Sequence, residues 1–368
     1  MRSGSYEVVE ISDTDSFLSL QPEWNAILQG SACDLPFMTH DWLSLWWKHF
    51  GAGHPLSILT ARREGRLVLA IPLLESRRSW LGLPFVTLRS LTNAHSFRYH
   101  VPLARGEEGS VRAVWDYLRK RPRTWHVIEL ERFETGYPAD TELLSAARST
   151  GHSVGVWDWG LSPRLTLEGS WKDYHSSLKP KFRSNLRNRL KRLGALGAIE
   201  YELVRDRNGC DAALEDAFTI EQAGWKGKEG SAIASDPALR RFYTEWGEMA
   251  ADRGWLRLWF LRLGGRRVAF EYNLEYNRNL YCMKIGYDPG LHPYSAGQIL
   301  KATILENAFE NGLGVYHFLG MMDESKGDWT SDARLLQWAY AYNGSPLSRL
   351  HHAQKFVLKP WLKRMLGR

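Results

Sequence analysis

The segment Ser295-Ala296-Gly297-Gln298 has the residue types that hold an anion. It follows a strand-like run, LYCMKIGY (280–287), and a breaker, Asp288-Pro289-Gly290. It opens a stretch in which Ile299, Leu300, Thr303, Ile304 and Phe309 recur at helical spacing before Asn311-Gly312 ends it. A helix that starts directly after a strand presents unbonded N–H groups and partial positive charge, which suits a phosphate. Gly297 would let such a group come close to the backbone, and Ser295 with Gln298 has the spacing of a capping box. The competing reading is a well-capped structural helix.

Charge supplies a second locus. The 368 residues carry 48 bases and 41 acids, a net charge of +7, and the run KPKFRSNLRNRLKRL (179–193) alone holds seven bases and no acid. Outside it 41 bases balance 41 acids, so the basic character is one patch on a neutral protein. Read as a helix, the run places Phe182, Leu186, Leu190 and Leu193 on one stripe, and Arg183, Arg187 and Lys191 on another. Lys181, Arg183 and Arg187 are then candidates to hold a phosphate-bearing substrate or cofactor. The alternative is a solvated face. Solvated helices mix signs, however, and no acid lies between Tyr174 and Ile199.

A third group lies on strands and a loop. Glu271 stands inside the strand-like VAFEYNLEY, as either a solvent-facing edge residue or a base; Tyr287, Tyr316 and His317 stand on neighbouring strands, where aromatics usually pack. The loop Gly320-Met321-Met322-Asp323-Glu324-Ser325-Lys326 leaves a buried strand at its C-terminal end, where α/β sites collect. Asp323 there could take a proton and Lys326 could hold a carbonyl or an acid, or both could be plain surface residues. The twelve histidines form no HExxH, and Cys33, Cys210 and Cys282 are far apart, so neither a metal site nor a disulfide framework is expected. Many of the seventeen tryptophans, Trp42, Trp46 and Trp246 among them, sit at helical core positions.

The elements that must carry these residues come in two copies. With 44% hydrophobic residues and this length, two domains are expected. Shifting the sequence by 200 positions lays 56–78 on 256–278 with eight identities in 23 positions, among them Arg62/Arg262, Gly65/Gly265 and Glu75/Glu275, where ~1–2 arise at average composition. Trp46 meets Trp246 in the same register. Each copy reads as a helix (about 40–50 and 239–252), then a hairpin turning at Glu64-Gly65 or Gly264-Gly265. Strands and helices follow at 84–91, 110–120, 125–130, 140–149 and 153–159 in the first copy. In the second they are expected at 280–287, 296–311, 315–320, 331–337 (helix) and 338–343, with Ser162-Pro163 as the crossing between halves. The start of α-helix-like RGEEGS (105–110), which answers to Ser295 in the first copy, bears Glu107 and Glu108 and would repel a phosphate. The opening MRSGSYEVVEISD lacks an apolar run and no stretch is long and apolar enough to span a bilayer, so a cytoplasmic protein is expected.

This order of elements resembles the GNAT N-acyltransferase fold, and its doubling resembles FemAB-type tandems. Pro36-Phe37 with Trp42 and Trp46-Trp47, Ile71-Pro72-Leu73, Trp171 with the basic run, Gly286-Tyr287-Asp288, Ser295-Ala296-Gly297, and Phe318-Leu319-Gly320 with Lys326 and Trp329 are similar to the CelD-like or BioF-like acetyltransferases. The resemblance, which covers roughly 20–345, implies a mixed α/β fold of two tandem GNAT-like units around a central groove. The units would be 1–160, without cofactor, and 161–345, with a coenzyme A site, followed by a basic helical tail, 346–368.

In such enzymes the coenzyme A pyrophosphate lies on a loop whose positions here would be His292, Ser295 and Gly297, of which only Gly297 fits the family pattern. His292, Ser295, Ala296, Gly297 and Gln298 are thus the implied cofactor-binding residues. Glu271, Tyr287, Tyr316, Asp323 and Lys326 are the candidates for the base, acid and carbonyl donor of direct acyl transfer. Acetyl-CoA or a longer acyl-CoA would be the co-substrate, with no metal, and an amine of a small molecule, sugar, nucleotide-sugar or peptide the acceptor. Two alternatives stand beside it: a FemAB-like transferase that draws on aminoacyl-tRNA, and a non-catalytic binding protein of the same fold. The tail LHHAQKFVLKPWLKRMLGR (350–368) is basic and amphipathic, fit either to touch an anionic membrane or, given Pro360, to dock on its own domain.

Overall fold

The structure, a computed structural model, describes residues 5–365 except 30, 122–123, 225–226, 228 and 231. The first four residues of the opening segment lie outside the described residues. The chain divides into two compact units, Met1–Gly160 with Leu335–Arg368, and Leu161–Arg334.

The first unit runs β1 (Glu7–Ile11), α1 (Thr14–Ser19), α2 (Gln21–Gln29), α3 (His40–Phe50), β2 (Leu56–Arg63), β3 (Arg66–Trp80), β4 (Leu83–Ser90), α4 (Gly109–Lys120), β5 (Val127–Glu134), α5 (Pro138–Ser149) and the start of β6 (Val154–Thr166). In the second unit follow α6 (Trp171–Ser177), α7 (Pro180–Gly194), β7 (Ile199–Val204), α8 (Cys210–Ala223), α9 (Pro237–Asp252), β8 (Leu256–Leu263), β9 (Arg266–Tyr276), β10 (Asn279–Tyr287), α10 (Ala296–Glu310), β11 (Val315–His317) and α11 (Glu324–Gly327). Strand β12 (Ala333–Tyr342) and helices α12 (Pro346–Ala353) and α13 (Lys359–Met365) return the chain to the first unit.

The duplication is visible down to single hydrogen bonds. Strands β2 and β3 pair from Leu56↔Leu74, with a bulge between Ala61 and Arg62; β8 and β9 pair from Leu256↔Leu274, with a bulge between Leu261 and Arg262. Glu64-Gly65 and Gly264-Gly265 turn both hairpins in the left-handed conformation that two-residue turns require. Arg62 and Arg262 each donate to the carbonyl of the turn glycine, Gly65 or Gly265. Trp46 and Trp246 are both buried, as core packing demands.

Each unit then builds an antiparallel meander that ends in a parallel pair. Strand β4 runs parallel to β5, and β10 parallel to β11. The outer neighbour of the parallel pair comes from elsewhere in sequence. Strand β12 lies antiparallel to β5, from Leu336↔Glu134 to Tyr342↔Val127, while Thr166 to Arg164 of β6 lie antiparallel to β11. This return corrects two expectations. Residues 335–345 belong with the first unit rather than closing the second. The segment 333–337 is strand rather than helix, because it leads into the pairing with β5. The crossing between units falls at Gly160/Leu161, next to Ser162-Pro163, inside β6, whose carbonyl at Pro163 accepts from Phe318 N–H.

The tail is part of this unit. Its turn at 354–358 seats Phe356 against Gly155 of β6, where any Cβ would come within 2.2 Å of the ring. His351 is buried, with Tyr342 and Arg78 at its two ring nitrogens. Burial first, and then Arg78, Lys355, Lys359 and His352, push its pKa down from 6.5 to about 4. Between these values the unfolded chain takes up a proton that the folded chain refuses, so stability falls as pH drops from 6.5 towards 4. We expect His351→Gln to flatten this part of the urea-midpoint versus pH curve; an unchanged slope would assign the effect to other groups.

Candidate active site

In the second unit β10 and β11 pair over three residues only, Asn279↔Val315 to Tyr281↔His317. Directly beyond, a bulge between Cys282 and Lys284 bends β10. Leu319 (φ 56°) and Gly320 (φ 61°) turn the other strand's exit through the left-handed region. The strands therefore part after Tyr281 and His317, whose rings stack at 4.6 Å. At the open end, β10 passes through the 289–294 turn into α10, and Tyr287 lies beside the helix start, 3.8 Å from where a Cβ on Gly297 would sit.

The start of α10 differs from the expected capping box. The preceding turn runs straight into the helix, which forces Ser295 into the left-handed conformation (φ 49°), and its side chain caps nothing. Its carbonyl takes the amides of Gln298 and Ile299, leaving those of Ala296 and Gly297 as the first-turn donors outside the helix's own bonds. Gln298 turns away from the cap: it donates to Ser325 and accepts from Trp329 Nε1 at 2.5 Å. Ala296 is buried, Ser295, Gly297 and Gln298 are half-buried, and His292 is exposed.

Helix α7 packs against the 289–294 turn and against α10, with the Arg192 guanidinium 5.2 Å from the Tyr294 ring centre. Phe182, Leu186 and Leu193 are buried on it, whereas Leu190, expected on the same stripe, is exposed. Many arginines of the chain have a carboxylate, as Arg267 has Glu202 and Asp216. Among the described residues Lys181, Arg183 and Arg187 have none, and Arg183 Nε is buried without a partner. His175 on α6 registers the field: burial and then Arg183 and Arg187 lower its pKa. Two loci separate in sequence thus meet beside one helix end.

Beneath the parted strands lies a closed polar cluster. The Lys301 ammonium donates to Glu271 Oε2 at 2.6 Å and to the Tyr316 oxygen at 2.5 Å, and the Tyr316 hydroxyl donates to Glu271 Oε1. All three side chains are buried, as is Cys282, whose thiol lies within hydrogen-bond reach of Tyr316. Burial works against the Lys301 charge, but Cys282 and Glu271 outweigh it and raise its pKa. Burial, then Cys282 and Glu271, hold Tyr316 protonated, and burial pushes the Cys282 thiol up to about 11. Asn273, fully buried on β9 opposite Cys282, has no partner for either end of its amide among the described residues.

Glu271 on β9 and Tyr316 on β11, expected on neighbouring strands, are separated by β10, and Lys301, which the sequence did not single out, joins them. The signal was present: Lys301 is three and four residues before Ile304 and Leu305, on the buried face of α10. Glu271 is not a solvent-facing edge group; it is 2% exposed. Tyr287 stands apart from this cluster, half-buried at the open end. Asp323 and Lys326 are bound to each other: Asp323 Oδ1 caps α11 by accepting from the Lys326 amide, and the Lys326 ammonium lies 3.2 Å from Asp323 Oδ2 and donates to the Met321 carbonyl. His317 is spent on Tyr281.

Truncating Lys301 leaves a buried carboxylate alone. Lys301→Met is expected to cost about 3–5 kcal/mol in urea denaturation. Adding Glu271→Gln should recover a large part of it, and two additive losses would show that the cluster is not a coupled unit.

The comparisons with known proteins agree with this geometry. A family model described as an acetyltransferase (GNAT) domain matches residues 180–329. No curated protein matches the chain. Among solved structures, FemX is similar over 94% of this chain and 100% of its own, with 13% identity and a TM-score of 0.60. A conserved protein of unknown function from Bacteroides thetaiotaomicron is similar over 91% and 100%, with 13% identity and a TM-score of 0.55. The fold is mixed α/β in two units that repeat one meander, and residues 180–329, within the second, are the part that matches the acetyltransferase (GNAT) model.

Proposed function

We propose that the second unit is an acyl-CoA-dependent N-acyltransferase of the CelD-like or BioF-like kind. The observation that carries the reading is the parting of β10 and β11 beside a glycine-bearing helix start and an unpaired basic helix. An extended thioester carrier can lie in the gap between the parted strands. Its pyrophosphate then meets the amides of Ala296 and Gly297 and the cations of α7. His292, at the exposed rim, is placed to reach the same anion.

The acceptor ammonium gives one proton to solvent, and the neutral amine attacks the thioester carbonyl; the C–N bond forms, the C–S bond breaks, the nitrogen sheds a second proton and the departing thiolate takes one up. Tyr287, at the open end, is the group we assign to that proton. Glu271 and Tyr316 act from below, through Lys301, by fixing α10 against the sheet, and Lys326 and Asp323 hold the loop after β11. The acceptor is an amine of a small molecule, sugar, nucleotide-sugar or peptide. The unpaired cations of α7 also favour a second reading, a charged tRNA as donor, which needs many phosphate contacts rather than one pyrophosphate.

Acetyl-CoA should raise the melting point and tRNA should not; the reverse result would select the second reading, and no shift with either would leave a binding protein of this fold. Gly297→Val has room against Tyr287 and should melt near wild type, yet lose the acetyl-CoA shift. Arg183→Glu with Arg187→Glu should weaken coenzyme A at least ~10-fold, measured by titration calorimetry; unchanged affinity removes α7 from the site.

A further inference from the structure

We propose that the protein docks on an anionic membrane surface through an apolar cluster of the first unit, formed by the β3–β4 turn and the C-terminal helices. Trp80, Leu81, Leu350, Val357, Leu358 and Trp361 line one open hollow of about 440 Å³. Leu81 is 66% exposed, Val357 61% and Trp361 54%, and Met365 on the same helix as Trp361 is more exposed still. Exposed apolar residues scattered singly are ordinary, but a gathered set marks a surface that meets another apolar phase.

Two features show that the cluster is built rather than left over. The tail has an inward face that packs closely, with Phe356 filling the space over Gly155 and His351 buried under Trp80 and Phe85. The outward residues are therefore held out by a seated helix. At the β3–β4 turn, Leu81 occupies the left-handed conformation (φ 52°) before Gly82, a position that Asn or Gly fills at lower cost. A leucine retained there against backbone preference is an apolar finger at a turn tip.

The charge selects the occupant. Residues 346–368 contain six bases and no acid. Arg349, Lys359 and Arg364 are exposed on the helices that carry the apolar set. Leucine and tryptophan flanked by lysine and arginine on a short helix form the composition that lies in the plane of an acidic bilayer surface, with apolar tips among the acyl chains and cations among the headgroups.

The test is co-sedimentation of the full chain with vesicles of phosphatidylcholine alone or mixed with phosphatidylglycerol. Wild type should bind the mixed vesicles, bind the neutral ones poorly, and release in high salt. Val357→Glu with Trp361→Glu should lower binding at least about fivefold. Leu81→Asn, which suits the left-handed turn, should lower vesicle binding while its melting point holds or rises. Wild type that ignores the mixed vesicles, or variants that bind as it does, would overturn the proposal. So would light scattering that shows a dimer dissociated by these same substitutions, since the face would then be covered by a second copy.

Discussion

The second unit depends on where two parallel strands stop pairing. A strand in the middle of a sheet normally keeps the same two neighbours along its length. Strand β10 leaves β11 after Tyr281 because a bulge at Cys282–Lys284 bends it against β9, and because Leu319 and Gly320 carry the other strand away. The gap is held open from beneath. Lys301 on α10 binds Glu271 on β9 and Tyr316 on β11 at once, so the helix and the two strands that flank β10 are tied together beside the point where β10 and β11 diverge. An ion pair buried this deeply offsets much of its own desolvation and contributes little net stability. What it fixes is geometry, and the start of α10 is the part whose position matters.

The first unit shows what happens without the same devices. Its parallel pair is also three residues long, Thr87↔Val127 to Arg89↔Glu129, but β3 and β4 pair without a bulge and β4 ends at Ser90. Its equivalent helix, α4, begins beside carboxylates. Glu107 accepts from the Tyr6 hydroxyl and pairs with Arg63, and Glu108 precedes the first helical residue. The same meander thus occurs twice, with its register and hairpin turns intact, while Glu108 precedes the helix in one copy and Ser295 in the other.

What the sequence determined was local and periodic. The 200-residue shift located the hairpins because turn residues and strand alternation are set by near neighbours, and the two bulges fall at equivalent positions, Ala61/Arg62 and Leu261/Arg262. The basic face of α7 and the helix start at Ser295 were readable for the same reason. The capping box failed because Ser295 follows a tight turn, and a backbone forced left-handed cannot aim its side chain at its own helix.

The remainder was decided by partners distant in the chain. A stretch such as 333–337 reads as helix or strand alike until β5 is there to accept it, so the return of β12 to the first unit could only come from the tertiary fold. Helical spacing sets Lys301 on the buried face, but only Glu271, thirty residues away, and Tyr316, fifteen away, give its charge partners there. Sequence sets what each residue can do by its own chemistry and by its neighbours within a turn or two. Burial and charge pairing depend on which surfaces meet, and only the packed structure settles that.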